Sequence, residues 1–78
     1  MPIAFVLVTY DLGTKTEQEA IKRLKNVPGV IEVSKVNGVY DIVVKITSDT
    51  LDSLKETITR DIRMIDAIRS TMTLIVIE

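Results

Sequence analysis

Apolar residues along the chain fall into two alternating rhythms, one of period two and one of about 3.6, the signatures of strand and helix. Ile3 to Tyr10 is almost wholly aliphatic, β-branched or aromatic, rich in Val and too short for a lone helix, which predicts a strand. Ala20, Ile21, Leu24 and Val27 then recur at helical spacing. Val30 to Val36 alternates in part and is interrupted by Glu32, Ser34 and Lys35, as an edge strand is. Tyr40 to Ile46 reads as its return strand. Leu51, Leu54, Ile58 and Ile62 line one face of a second helix, and Ala67 to Ile77 is a final strand.

The joints between these elements carry their own chemistry. Asp11-Leu12-Gly13-Thr14 is a turn sequence, and Thr16 followed by Glu19 is a capping box opening the first helix. Pro28-Gly29 stops that helix. Asn37-Gly38 suits the two positive-φ positions of a type I′ hairpin turn. Ser48, Asp49 and Thr50 all offer caps for the second helix.

The order strand, helix, strand, strand, helix, strand fills residues 1–78 and is expected to form a single domain. It defines an α+β class, the ferredoxin-like βαββαβ arrangement: a four-stranded antiparallel sheet with two helices on one face. Right-handed crossovers bring the first and third strands side by side, as an expected parallel pair at the centre.

A sheet covered on one side should alternate apolar with polar. Here both sides are oily. Ile3, Phe5 and Leu7 point one way, and Ala4, Val6 and Val8 the other. Tyr40, Ile42, Val44 and Ile46 oppose Val43, while Ile68, Met72, Leu74 and Val76 oppose Ile75 and Ile77. The uncovered side would exceed the few hundred Å² that monomers expose. A second copy is therefore expected to cover it, sheet on sheet, in a symmetric homodimer.

Composition leads to the same place. A domain of 78 residues buries only about 60% of its unfolded surface and usually needs reinforcement. Cysteine and histidine are both absent, which removes disulfides and any ordinary zinc site and leaves association. Burial at about 25 cal/mol per Å² would supply what the small core lacks. Ten Lys and Arg against eleven Asp and Glu show no basic stripe, so direct nucleic-acid binding is not expected. No apolar run reaches the ~18 residues of a membrane span, and the start lacks a signal peptide's basic region. A cytoplasmic protein fits. One Gln and two Asn among 27% charged residues suit a thermophile.

Without His or Cys no common nucleophile–base pair can be built, no metal or cofactor site is expected, and the chain does not read as an enzyme. The scattered carboxylates of Glu17, Glu19, Asp49, Asp52, Glu56, Asp61 and Asp66 fit solvated helix faces and caps. The segment Asn37-Gly38-Val39-Tyr40-Asp41 has a plain reading: a tight hairpin in which Asp41 accepts a turn amide and Tyr40 packs in a core. In a sharper reading, a turn that exposes backbone N–H and C=O groups beside a carboxylate and a phenol can hold a free amino acid. Ser70-Thr71-Met72-Thr73 is either ordinary edge-strand sequence or the hydroxyl side of such a site. Tyr10 and Asp11 fit a strand end and turn.

Pro28-Gly29-Val30, Val36-Asn37-Gly38-Val39-Tyr40-Asp41-Ile42 and Arg69-Ser70-Thr71-Met72-Thr73 resemble the effector domain of the Lrp/AsnC transcription regulators, also called the RAM domain. The likeness spans essentially the whole chain. It implies a sheet-to-sheet homodimer, assembly of dimers into rings, commonly octamers, and small amino-acid effectors bound between dimers near the hairpin loop. By motif it carries over Gly38, Tyr40 and Asp41, with Ser70 and Thr71 beside them and Asn37 as the adjoining turn residue. Regulators of this family place a helix-turn-helix domain ahead of the module, whereas this sequence opens on the first strand. It is thus expected to be a stand-alone form, whose route to regulating transcription would be co-assembly with full-length relatives through the same interfaces or a change of assembly on ligand binding. An ACT-like amino-acid-binding domain, a ligand-free oligomerisation module and a small dimeric monooxygenase share the element order and remain alternatives.

Overall fold

A computed structural model describes residues 1–10, 17–65 and 68–77. The elements are β1 (Ile3–Tyr10), α1 (Glu17–Lys25), β2 (Val30–Lys35), β3 (Ile42–Thr47), α2 (Leu51–Thr57) continuing into a π-helical turn (Ile58–Ile62), and β4 (Ile68–Ile75). The capping residue Thr16, the Asp11-Leu12-Gly13 turn and Ala67 lie outside the described residues. No helix among the described residues is long and apolar enough to cross a membrane.

The sheet order is β2-β3-β1-β4, and every neighbouring pair is antiparallel. The expected parallel centre is therefore corrected: β1 pairs with β3 antiparallel, Val6 opposite Val44. Each crossover skips one position, so β1 runs parallel to β2 with β3 between them.

Ala4, Val6, Val8, Ile42, Val44 and Ile46 are buried beneath both helices, which contribute Ala20, Leu24, Leu54, Ile58 and Ile62 to the same core. Leu51, expected in that stripe, stays exposed in the opening turn of α2. Of the three candidate caps Thr50 serves, its hydroxyl accepting the Ser53 N–H at 3.1 Å. Gly29 ends the first crossover at φ 88°, a region that costs glycine little.

On the opposite face Ile3, Phe5, Leu7 and Val43 are half-buried, and Met72 and Leu74 remain about half exposed at 48% and 49%. The Lys45 ammonium sits 5.9 Å from the centre of the Phe5 ring, covering part of this surface with its stem. Two bulges break the strict alternation. Ile31 is the extra residue of β2, between Val30 opposite Ile46 and Glu32 opposite Lys45. Arg69 is the extra residue of β4, between Ser70 opposite Thr9 and Ile68 opposite Tyr10. That bulge turns Ile68 onto the core, where Tyr10 also packs, and away from the side of Met72 and Leu74 on which alternation alone had put it.

Candidate functional site

The connection after β2 is longer than a two-residue turn. Lys35 opposite Ile42 is the last strand pair, which leaves residues 36–41 as the loop. It closes at its base, where the Val36 N–H donates to the Asp41 carbonyl at 2.9 Å. Neither Asn37 nor Gly38 has positive φ, so the type I′ turn is not formed. The reason lies in the register: Lys35 opposite Ile42 centres the connection between Gly38 and Val39, one residue beyond the Asn37-Gly38 pair, while the Asp41 N–H donates the other way to the Val8 carbonyl at 2.9 Å.

This closure directs two expected site residues to different places. Tyr40 is outside the strand and does not share the phase of Ile42. Its hydroxyl lies 3.7 Å from Met72 Sδ, on the side of the sheet away from the helices, so the core placement is corrected. Asp41 is half-buried, and its carboxylate accepts the Tyr10 N–H at 3.4 Å, a strand amide rather than a turn amide. Asn37 and Gly38 are exposed at the loop tip, and a side chain added at Gly38 would meet open space.

From β4, Ser70 projects to the same side as Tyr40. Its hydroxyl lies 2.6 Å from that of Thr9, which also reaches the Ser70 carbonyl at 3.4 Å. Thr71 belongs to the other face, opposite Val8 in register, where it borders a groove beside Arg63. Period two makes this division unavoidable: adjacent strand residues cannot share a face. Tyr40, Asp41 and Ser70 thus gather at one end of the sheet, and Thr71 looks out from its reverse side.

Beside this end lies a polar cluster that sequence reasoning did not assemble. The Tyr10 hydroxyl donates to the Glu17 carboxylate, and the Lys35 ammonium pairs with the same group. The bond to Glu17, then loss of water, push the Tyr10 phenol up to about 12. The Lys35 ammonium, followed by the Tyr10 hydroxyl, holds Glu17 below its ordinary carboxylate value. The cluster ties the end of β1, the start of α1 and the end of β2 together just under the loop. Only the apolar tail of β1 and the acidic first turn of α1 hinted at it, because the partners are far apart in sequence.

Among the described residues no group of three or more carboxylates gathers to hold a metal ion. The site offers hydroxyls, a phenol, one carboxylate and loop amides, which is hydrogen-bonding equipment for a small polar molecule.

A small ferredoxin-like sheet with polar loop chemistry at one end and an uncovered apolar face is the class of module that these features define. The Lrp/AsnC ligand binding domain matches over residues 3–78, and the chain belongs to that family. An HTH-type transcriptional regulator of Pyrococcus furiosus is 30% identical over 73 residues, which are 92% of this chain and 49% of that protein. The chain thus spans about half the length of the curated relatives it matches. The crystal structure of FFRP-DM1 superimposes with a TM-score of 0.89 at 39% identity, over 99% of this chain and 100% of that one. A transcriptional regulator of Neisseria meningitidis in complex with L-Met shares the fold, with a TM-score of 0.88 at 10% identity, over 99% of this chain and 50% of that one.

Proposed function

We propose that this domain is an amino-acid-responsive assembly module of transcription regulation, with Asn37, Gly38, Tyr40, Asp41, Ser70 and Thr71 at or beside the effector site. The observation that carries the reading is the convergence of Tyr40, Asp41 and Ser70 at one end of the sheet in a chain of the Lrp/AsnC ligand-binding family. The L-Met complex of the Neisseria meningitidis regulator supports an amino acid as the class of effector.

The open face of Ile3, Phe5, Leu7, Val43, Met72 and Leu74 is the homodimer surface in this reading, with dimers joining further into a ring. Thr71, facing the reverse side from Tyr40, then serves a ligand placed between copies rather than within one. The protein acts in the cytoplasm without catalysing a reaction. It reaches DNA through co-assembly with longer relatives that share the same domain. Thermal-shift screening of the purified protein against the twenty amino acids tests this directly, since selective binding stabilises by mass action. A rise in melting temperature with one or a few of them is expected, and none with any would leave a ligand-free oligomerisation module.

A further inference from the structure

Two adjoining concavities lie between β4 and the helix segment formed by α2 and its π turn. The larger, about 430 Å³, is lined by Lys55, Thr59, Arg63, Thr71 and Thr73 over an apolar floor of Ile58 and Ile75. Its volume falls among small-molecule sites, which run from about 300 to 1,000 Å³. The smaller, about 250 Å³, continues past Arg63 and Thr71 to Arg69 and Ser70.

The charges there are of one sign. Lys55, Arg63 and Arg69 form no ion pair with any described residue, whereas Arg23, Lys35 and Arg60 each have a carboxylate partner. No described carboxylate lines either concavity. A cleft walled by like charge concentrates the opposite ion from solution. Thr59, Thr71 and Thr73 line the same space and bring neutral hydroxyl-bearing side chains to it.

Backbone geometry keeps these side chains together. In a regular helix, residues four apart drift about 40° round the axis, so Lys55 and Arg63 would diverge by about 80°. The π turn closes on an i→i+5 bond, the Arg63 N–H donating to the Ile58 carbonyl at 3.1 Å, and takes up part of that drift. Lys55, Thr59 and Arg63 consequently border one groove. Lys55 and Arg63 both line this groove, so a ligand lying in it meets two cationic partners.

Taking the amino-acid effector reading as given, we propose that this groove selects a small dicarboxylate, of the class of the acidic amino acids. One carboxylate meets Lys55 and the threonine hydroxyls, and the other meets Arg63.

Titration calorimetry on the whole chain, with aspartate, glutamate and succinate against asparagine, glutamine, leucine and methionine, tests it. The acidic ligands are expected to bind at least tenfold more tightly than their amides. Lys55→Gln and Arg63→Gln should each weaken them roughly tenfold, the effect of losing one charge-assisted hydrogen bond. Both side chains are exposed, so the melting temperature of the free protein should not move. Binding of a neutral amino acid with no preference for its acidic counterpart would overturn the dicarboxylate and leave the effector reading standing. Unchanged acidic affinity in both variants would do the same. Succinate binding without any amino acid would keep the groove and sink the amino-acid reading, and no binding at all would sink both.

Discussion

The Tyr40 hydroxyl donates to Met72 Sδ at 3.7 Å, joining the loop after β2 to the last strand across the side of the sheet that the helices leave bare. The bond is exposed and its acceptor is a weak one, so it adds little to stability. Tyr40→Phe should leave the unfolding free energy within about 0.5 kcal/mol of the parent. The same substitution should reduce the melting-temperature rise produced by the bound amino acid. An unchanged ligand-induced shift would remove Tyr40 from the site.

Gly29 holds a tighter relationship with the body of the fold. Its carbonyl accepts the Thr47 N–H at 2.9 Å, and a methyl group built on its Cα would stand 2.3 Å from the Thr47 carbonyl oxygen. Positive φ and backbone collision act together, and neither partner is a flexible side chain. Gly29→Ala is expected to cost on the order of 1–3 kcal/mol from the backbone conformation alone, with the collision adding to it. Urea unfolding followed by circular dichroism measures the loss, and a change below about 0.5 kcal/mol would contradict the geometry.

Leu74 lies opposite Phe5 on the bare side of the sheet and is 49% exposed in the single chain. In a face-to-face dimer a carboxylate there would be buried without a partner, at heavy cost. Light scattering should report a multiple of the 8.7 kDa chain for the parent and a single chain for Leu74→Glu. A parent that runs as one chain at micromolar concentration would end the dimer proposal.

The Tyr10–Glu17–Lys35 cluster makes stability depend on pH at both extremes. The folded state raises the phenol from about 10 to about 12, so it holds that proton more tightly than the unfolded chain does. The phenol's contribution is complete below pH 10 and disappears as pH rises through about 12. Glu17 shifts the opposite way: its contribution is complete above the ordinary carboxylate range and is lost as pH falls through its lowered value. Denaturation titrations across both limits should show Tyr10→Phe flattening the alkaline slope and Glu17→Gln the acid one. Equal alkaline slopes in Tyr10→Phe and the parent would show that the hydrogen bond does not form in solution.

What was legible in the sequence was whatever follows from local periodicity. Ala4, Val6 and Val8 separate from Ile3, Phe5 and Leu7 because a strand offers only two faces, and Pro28-Gly29 marks a stop because the backbone there needs positive φ. Errors arose where distant partners decide. Asn37-Gly38 has the composition of a two-residue turn, yet the pairing of whole strands sets Lys35 opposite Ile42, beyond the shift at Ile31, and leaves six residues between them. Ser70 and Thr71 are neighbours in sequence that a strand must separate in space, so they could not both face Tyr40. Lys35, Glu17 and Tyr10 meet because three elements end at one corner, and no spacing rule connects them.

The extra residue at Arg69 gives the last strand an unusual route for change. Deleting it would leave Ile68 on the core and Ser70, Met72 and Leu74 on the bare side, because strict alternation would then give the facing that the bulge now provides. A one-codon loss at this position can remove the kink without exchanging the greasy exterior for threonine hydroxyls. Relatives shorter by one residue here should therefore keep the same sticky outer surface and lose only the local bend.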